Sequence, residues 1–477
     1  MKMMIGGKET YSKKTVDVIN PATMEVIDTV PAAEPKDVEK ALDLAQIGKK
    51  KWRDVVLYQR IEILEKFLTL VKRDMDDFVN IMCSETGKTL AACKDETLAL
   101  INIFKCYCEK AKNFGGESLP FNSEARVEGD IIFTMREPLG VIACVIPFNY
   151  PTELYAHKVA PALVMGNAVI VKPSSDTPLG NIWLTKLLIE AGVPGEAIQI
   201  LTGSGSKIGA QLASSPKIDA ISLTGSTRVG IETMKNGAKN LTHVFLELGG
   251  NDPMIVFEDA DIEQAVQEAL DGRASNAGQT CCGTKRLIVQ NSVKEKFTEK
   301  LAEALKQLKV GSPMEPDVIY GPLINESAAK DVEDQVQKTI SQGAKLVYGG
   351  HRYDHTYFEP TLLTEVTKDM DIAAKMEIFG PVFPVIGFDT LEEAIEIANQ
   401  APYGLSSGVL TKDMSLAMKV ATRIEAGTCV INGCGNYRSA HLAFGGYKMT
   451  GIGREGVTDT LSEYSQTKNI ALKQFLR

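Results

Sequence analysis

The chain has 477 residues, 44% of them hydrophobic and 24% charged, and its 52 Lys+Arg against 61 Asp+Glu leave a net charge of −9. At roughly 100–200 residues per domain this is a globular chain of two to four domains, large enough to bury several cores without metal or disulfide support; a disordered or coiled-coil chain is excluded. No Lys/Arg block interrupts the acidic balance, so capture of nucleic acid or of an anionic membrane has no electrostatic basis, and a small molecule is the expected partner.

The nine cysteines, Cys83, Cys93, Cys106, Cys108, Cys144, Cys281, Cys282, Cys429 and Cys434, follow no framework spacing, which points to reduced thiols in a cytoplasmic protein. There is no C-x-x-C pair and the five histidines do not cluster, so no metal site is expected. Met1 to Gly7 does not read as a signal peptide, and no apolar run reaches the ~18 residues of a membrane span. The Asn-x-Thr/Ser triplets at Asn240 and Asn325 read as chance.

Through about residue 125 the pattern is mostly helical, with Ile61, Leu64, Leu68, Val71, Met75, Phe78 and Met82 marking one long amphipathic helix. Near residue 140 the rhythm changes. Val141 to Ile146 and Ala168 to Val171 are short, wholly apolar strands of the kind a parallel sheet covers on both faces. Ala197 to Leu201, Ala220 to Leu223 and His243 to Leu246 continue the alternation of strand and helix, the pattern of a doubly wound α/β domain. A second α/β block starts near Pro253, with strands at Met254 to Phe257, Arg286 to Val289 and Cys429 to Asn432 and a helical stripe of Phe297, Leu301, Leu305 and Leu308. The alternating Ser465 to Leu472 reads as an edge strand suited to meeting a partner subunit.

Six segments carry chemistry-bearing residues. Gly278-Gln279-Thr280-Cys281-Cys282-Gly283 sets a thiol among small, flexible neighbours; the ordinary reading is a small buried cysteine. Glu247 ends an apolar strand before Gly249-Gly250, either as a carboxylate poised for proton transfer or as a solvated strand-end charge. Asn149, between Pro147 and Pro151, is a rigid amide donor or a turn cap. Gly203 to Gly209 and Leu223 to Gly230 are phosphate cradles or simply tight strand–helix connections, the second better because Ser226 or Thr227 can cap the helix that follows. Lys172 is a cofactor contact or a surface lysine.

In order and spacing these segments, with Lys172-Pro173-Ser174, Glu377-Ile378-Phe379-Gly380-Pro381 and Phe444-Gly445-Gly446-Tyr447-Lys448, resemble the aldehyde dehydrogenase superfamily from about Val18 to Asn469. The resemblance implies NAD(P)-dependent oxidation of an aldehyde to its acid. Cys281 would be the nucleophile and Asn149 the oxyanion donor, with Glu247 activating the water that hydrolyses a thioester and Lys158 ordering the proton path. Glu377 and Phe379 would meet the nicotinamide half and Gly225 with Ser226 the pyrophosphate; Lys172 would reach the adenine ribose, and Gly205 and Gly209 form the adenine-side turn. Ile146, Pro147, Phe148, Ser174, Leu248 and Gly249 complete the cofactor wall. Ser175 stands where NAD-preferring members often carry glutamate, so NADP is expected to be accepted, even preferred, over NAD. Tyr150, Cys282, Arg438 and Phe444 would line the aldehyde pocket, Arg438 favouring a small polar or anionic aldehyde of the lactaldehyde, glyceraldehyde-3-phosphate or semialdehyde type. The rival readings are a coenzyme A-acylating relative, against which Glu247 counts, a thiol hydrolase lacking a matched histidine, and an inactive structural or binding relative.

The implied architecture is a cofactor domain over 1–125 and 146–250, a catalytic domain over 251–448, and a β arm over 126–145 and 449–477 that builds a homodimer or homotetramer.

Overall fold

The computed structural model describes residues 1–476. The chain opens with two antiparallel strand pairs where helix was expected: β1 (Met3–Ile5) with β2 (Lys8–Thr10), and β3 (Thr15–Ile19) with β4 (Val26–Pro31). Helices α1 (Pro35–Arg53), α2 (Leu57–Arg73), α3 (Met75–Thr86) and α4 (Leu90–Ala111) follow. The stripe expected to be one helix is buried as expected but broken at Asp74, whose φ of −100° and ψ of 15° end α2 and open α3. Gly87, at φ +72°, terminates α3, and Thr89 caps α4 by accepting from the Ala92 N–H at 3.2 Å.

Beyond β5 (Ile131–Pro138) come β6 (Val141–Val145), α5 (Pro151–Val164), β7 (Ala168–Lys172), α6 (Leu179–Ala191), β8 (Ile198–Ile200), α7 (Gly205–Ala213), β9 (Ala220–Thr224), α8 (Thr227–Gly237) and β10 (His243–Glu247). The sheet they build runs β2-β1-β8-β7-β6-β9-β10 and ends in the short strand Gly451–Ile452. Its five central strands are parallel; β1 and Gly451–Ile452 add antiparallel edges. The strands are apolar throughout because both faces are covered. Ile142, Cys144, Val169 and Val171 pack under α2 to α6, whereas Val141, Ala143, Ala168 and Ile170 pack under α1 and α7. From β6 the chain winds outward through β7 and β8, then returns to β9 and β10 on the other side. The carboxyl ends of β6 and β9 therefore flank a topological switch point, where open α/β sheets bind ligands.

The second unit contains β11 (Asp252–Val256), α9 (Ile262–Arg273) and β12 (Thr284–Gln290) in a seven-stranded sheet with its own core. Its order is Lys345–Tyr348, Thr361–Val366, Val382–Phe388, β12, β11, Gly408–Leu410 and Val430–Ile431, parallel except at the first strand. The strand expected over Cys429 to Asn432 shrinks to two residues, and Leu308 lies past the end of the helix Asn291–Lys306 that buries Phe297, Leu301 and Leu305.

β5 pairs antiparallel with Ser465–Leu472 along its whole length. The bridging element expected over 126–145 is thereby narrowed, because β6 is a central strand of the first sheet. Of the 449–477 part, Gly451–Ile452 joins that same sheet and the helix Val457–Glu463 buries Val457, Thr460 and Leu461.

Gly48, inside α1, marks the tightest approach of that helix to the sheet: a Cβ there would stand 2.0 Å from the Glu196 carbonyl oxygen. Alanine is worth about 1 kcal/mol more than glycine in an exposed helix interior. Overlap with fixed backbone reverses that sign, so Gly48→Ala lowers stability by about 2 kcal/mol. A thermal unfolding midpoint at or above that of the parent protein would contradict this account of the packing.

Candidate active site

A cleft of about 500 Å³ opens at the switch point. Val145, Ile146, Pro147, Phe148 and Asn149 line it from the end of β6, Lys172 to Asp176 from the end of β7, and Thr224, Gly225 and Ser226 from the end of β9. Leu248 and Gly249 follow β10, and the second unit contributes Cys281, Glu377 and Phe379. A side cavity of about 410 Å³ between α7 and α8 extends it past Gly205 and Gly209.

The glycines show whether a dinucleotide fits. A Cβ on Gly205 or Gly209 would meet nothing within 4 Å, and one on Gly225 only Leu223 at 3.5 Å, so the backbone there borders open space. A Cβ on Gly249 would lie 2.1 Å from Glu377 Oε2; glycine alone lets that carboxylate lie across the cleft. Ser226 caps α8 by accepting from the Val229 N–H at 3.5 Å, and the positive end of that helix borders the cleft, a fitting place for pyrophosphate. Phe148 and Phe379 meet edge to face at 6.0 Å.

Lys172 is buried, with Nζ donating to the Pro173 carbonyl oxygen, and burial lowers its pKa to about 8. The Ser175 hydroxyl donates to the Gly203 carbonyl at 3.0 Å. Ser174 donates to Asp176 Oδ2 at 3.2 Å, while Asp176 Oδ1 accepts from Asn325 at 3.1 Å. Asp176 thus places a carboxylate in the cleft at the end of β7 that the sequence analysis did not single out.

The turn that carries Cys281 is held in unusual backbone. Asn276 (φ 51°), Ala277 (φ 53°) and Gly278 (φ 73°) run left-handed in succession, a conformation costing roughly 1–2 kcal/mol per non-glycine residue. The surroundings enforce it. A Cβ on Gly278 would stand 2.2 Å from the Gly380 carbonyl oxygen. The fully buried Arg273 donates to the carbonyls of Gly278 (3.3 Å), Ile378 (2.5 Å) and Val382 (2.9 Å). Gln279 accepts from Ile324 N–H at 2.9 Å and donates to Asn276 O at 3.1 Å.

Asn149 is drawn into this turn, its Nδ2 donating to Gln279 O at 3.0 Å. Its own carbonyl accepts from Asn276 Nδ2 (3.0 Å) and from Lys88 Nζ (3.2 Å). Lys88 pairs with Glu96 at 2.7 Å, both side chains 2% exposed, and covers the Tyr150 ring at 3.6 Å from its centroid. Glu96 in turn accepts the Thr152 and Glu153 N–H groups at the start of α5, anchoring the Asn149 loop. The Tyr150 hydroxyl lies 3.4 Å from Ser275 and 3.3 Å from Thr280, so this residue braces the turn from the side expected to face substrate.

Cys281 is partly exposed to the cleft. Its pKa is lowered first by the hydrogen bond from the adjacent Cys282 thiol, against the effect of burial, and then by Lys285 and Arg438. Cys282, Leu405 and Phe444 form a small apolar cluster beside it. Glu247 is buried with Oε2 unpartnered, and its pKa is raised well above the carboxylate range, first by burial and then by the neighbouring Glu455.

Glu455, which the sequence reading missed, is the hub of a buried charge chain. Lys158 Nζ lies 2.6 Å from its Oε1 and donates also to Ser222 at 3.1 Å. Arg438 Nη2 lies 3.0 Å from Glu455 Oε2, its Nε 3.5 Å from Glu153, and its guanidinium stacks on Phe444 at 3.6 Å. Arg438 therefore spends much of its charge on two carboxylates of this chain; its Nη1 alone is buried without a partner. Among the described residues no cluster of metal-ligating side chains exists, and no helix is long and apolar enough to cross a membrane.

The aldehyde dehydrogenase family model matches residues 8–470. The chain is 35% identical over 459 residues to a glutarate-semialdehyde dehydrogenase of Pseudomonas putida, covering 96% of this chain and 94% of the relative. It is 36% identical over 479 residues to an NADP(+) D-glyceraldehyde dehydrogenase of Picrophilus torridus, covering 98% and 96%. Betaine aldehyde dehydrogenase of Staphylococcus aureus, solved in complex with NAD+, superposes with a TM-score of 0.95 at 34% identity over 99% of this chain and 95% of that one. Agreement that runs through both sheets and the arm is no shared fragment: the chain belongs to the aldehyde dehydrogenase family and is an NAD(P)-dependent oxidoreductase acting on aldehydes.

Proposed function

We propose that this enzyme oxidises small polar or anionic aldehydes through a thioester on Cys281. The observation that carries the reading is the convergence of Cys281, Asn149 and the Glu377 loop on one end of the cleft, with buried Glu247 close enough to feel the Cys281 charge.

A lowered thiol pKa favours the Cys281 thiolate, which adds to the aldehyde carbon. Asn149 Nδ2 has two N–H bonds; one is spent on Gln279, and the other, with the Cys281 backbone N–H, meets the developing oxyanion. The nicotinamide, when bound, supplies the hydride acceptor that turns this adduct into a thioester. Glu377, Phe379, Gly225, Ser226 and Lys172 are the residues that would hold the cofactor. Glu247 then takes a proton from water as the water oxygen bonds the acyl carbon, and the carbon–sulfur bond breaks to release the acid and return Cys281 as a thiolate; the Lys158–Glu455 pair keeps the surroundings of that carboxylate charged and ordered. The apolar cluster of Cys282, Leu405 and Phe444 leaves little room for a bulky aldehyde, and Arg438 Nη1 is the free donor for an anionic tail. The exposed apolar side chains of Met135 and Leu472 on the paired arm strands support assembly into a homodimer or homotetramer.

Three measurements test this. First, Glu247 must be ionised to act and its pKa is raised, so kcat climbs with pH through a value well above ~4.3, the ordinary carboxylate figure. Glu455→Gln removes the like charge that raises it, so the rising limb of the kcat profile moves toward acid; an unmoved or alkaline-shifted limb contradicts the assignment.

Second, Arg438→Ala raises KM for a carboxylate-bearing semialdehyde at least about tenfold more than KM for propanal, one charge-assisted contact's worth. The same variant lowers kcat alike for both aldehydes, because Glu455 loses a partner. Equal KM changes would remove Arg438 from the substrate site.

Third, the absence of a carboxylate at Ser175 supports NADP use. Ser175→Glu lowers kcat/KM for NADP about tenfold or more while changing that for NAD less than about threefold, by repulsion of the 2′-phosphate. A parent enzyme with strong NAD preference overturns this part of the reading.

A further inference from the structure

One buried cation beside the nucleophile has no part in the steps above. Lys285 is the second residue of β12, and its side chain is 0% exposed. Its ammonium lies beneath the nucleophile turn, where Nζ donates to Thr280 O at 3.1 Å, to Cys281 O at 2.5 Å and to Gly283 O at 3.4 Å. Those carbonyls belong to residues on both sides of the reactive sulfur. Glu377 Oε1 stands 3.6 Å from the same Nζ and also accepts the Gly250 N–H at 3.0 Å. A buried ammonium costs several kcal/mol of desolvation unless the protein solvates it. Here three carbonyl dipoles and one carboxylate do so, which fixes the turn and the cation to each other. A neutral donor would tie the carbonyls together as well, so the retained charge is the informative property.

The groups facing Cys281 sort by sign. Lys285 from β12 and Arg438 from the loop before Phe444 favour a thiolate; Asp252 from β11 and Glu247 from β10 oppose it when ionised; the Cys282 thiol donates to the sulfur. Arg438 is already engaged by Glu153 and Glu455, whereas Lys285 has only Glu377 within 4.0 Å among the described carboxylates.

We propose that Lys285 is a positioning residue for the nucleophile: it gathers the Thr280, Cys281 and Gly283 carbonyls and holds its charge against the Cys281 thiolate, with Glu377 as counter-anion. The carboxylate on the cofactor side and the reactive thiol thus share one cation. The inference rests on Cys281 being the nucleophile.

The test uses the whole enzyme without cofactor. Iodoacetamide alkylation of Cys281 is followed by mass spectrometry of its peptide between about pH 5.5 and 9.5, a range spanning shifted and ordinary thiol values. Lys285→Met raises the midpoint of the rate profile by about one unit and slows alkylation at pH 7 about tenfold; Lys285→Arg, which keeps the charge, restores most of that rate. A merely structural lysine would lower the unfolding temperature of the Met variant and leave the midpoint in place, and that result overturns the proposal. Where Lys285→Met yields no folded protein, Glu377→Gln decides: freed of its counter-anion, Lys285 moves the midpoint toward acid by about half a unit, and an unmoved or alkaline-shifted midpoint overturns it. In the parent enzyme, loss of aldehyde oxidation in step with alkylation checks the nucleophile separately. Activity that survives complete alkylation refutes the role of Cys281 itself, whatever the midpoints show.

Discussion

The buried ion pair between Lys158 and Glu455 ties together parts of the chain that carry the site. It joins the interior of α5 to a loop almost three hundred residues later in the chain, at 2.6 Å and out of reach of water. Removing one partner of such a pair leaves a buried charge uncompensated, at a cost of about 3–5 kcal/mol. The requirement spreads outward. Glu455 also holds Arg438, Arg438 holds Glu153, and the N-terminus of α5, where Glu153 sits, is capped by Glu96, which is neutralised by Lys88. Lys88 then bonds the Asn149 carbonyl. Satisfying one buried cation thus fixes, by successive pairing, the amide expected at the oxyanion and the guanidinium expected at the substrate. The backbone seals the arrangement, since Phe444 and Glu455 exchange N–H···O bonds at 2.9 and 2.6 Å.

The turn that carries Cys281 is organised by a different means, strain held in place by arginine. Its left-handed residues would relax to extended backbone if free, yet Arg273 binds the carbonyl of Gly278 on one side and those of Ile378 and Val382 on the other. The loop bearing Glu377 is therefore tied to the turn bearing Cys281 by one guanidinium. Arg286 performs the same service a few residues later, donating to Asn251, Ile397 and Ala398 at 2.8, 2.5 and 2.8 Å and securing the entry to β11. Arginine suits these places because its rigid fork satisfies several diverging carbonyls at once, which a lysine reaches only where they converge, as they do under Cys281.

Local signals carried the sequence reading a long way and stopped where tertiary pairing began. Apolar strands bounded by Pro and Gly, such as Val141 to Val145 and Ala168 to Lys172, were legible because a doubly covered parallel sheet leaves no choice of residue on either face. Cys281, Asn149 and the Gly225-Ser226 turn were ambiguous one by one and stood out only through the family resemblance that their order and spacing carry; all of them line the cleft. The break at Asp74 was not, since the apolar stripe continues across it and only the backbone dihedrals reveal two helices. Nor were the N-terminal strands β1 and β2: β1 is buried by pairing with β8, two hundred residues away, and β2 is a mostly exposed edge that pairs only with β1. Glu455, Glu153, Lys88 and Lys285 escaped for the same reason. A charged residue in sequence reads as surface, and nothing short of its partners shows that it is buried. The one local hint was Gly453-Arg454-Glu455-Gly456, a charged pair between glycines in a segment otherwise expected to be arm.

Three carboxylates at the site illustrate how environment assigns work to identical chemistry. Glu455 is buried, but its cationic partners, Lys158 and then Arg438, outweigh burial and hold its pKa low, so it stands as a negative charge. Glu247, equally buried, has no cation of its own in contact, and Oε2 bonds to nothing; burial and the charge on Glu455 both push its proton affinity up. Asp252 is raised to about 7, mainly by burial, and lies on the far side of the nucleophile turn, where its charge would oppose a thiolate. The charge on Glu455 thus helps to raise the pKa of Glu247, the residue proposed to accept a proton from water, and burial raises that of Asp252, whose charge would disfavour a thiolate at Cys281. These carboxylates differ in charge only because they are kept in unequal surroundings. Their inequality traces back to the placement of the cations, with Lys158 and Arg438 against Glu455 and Lys285 against the turn.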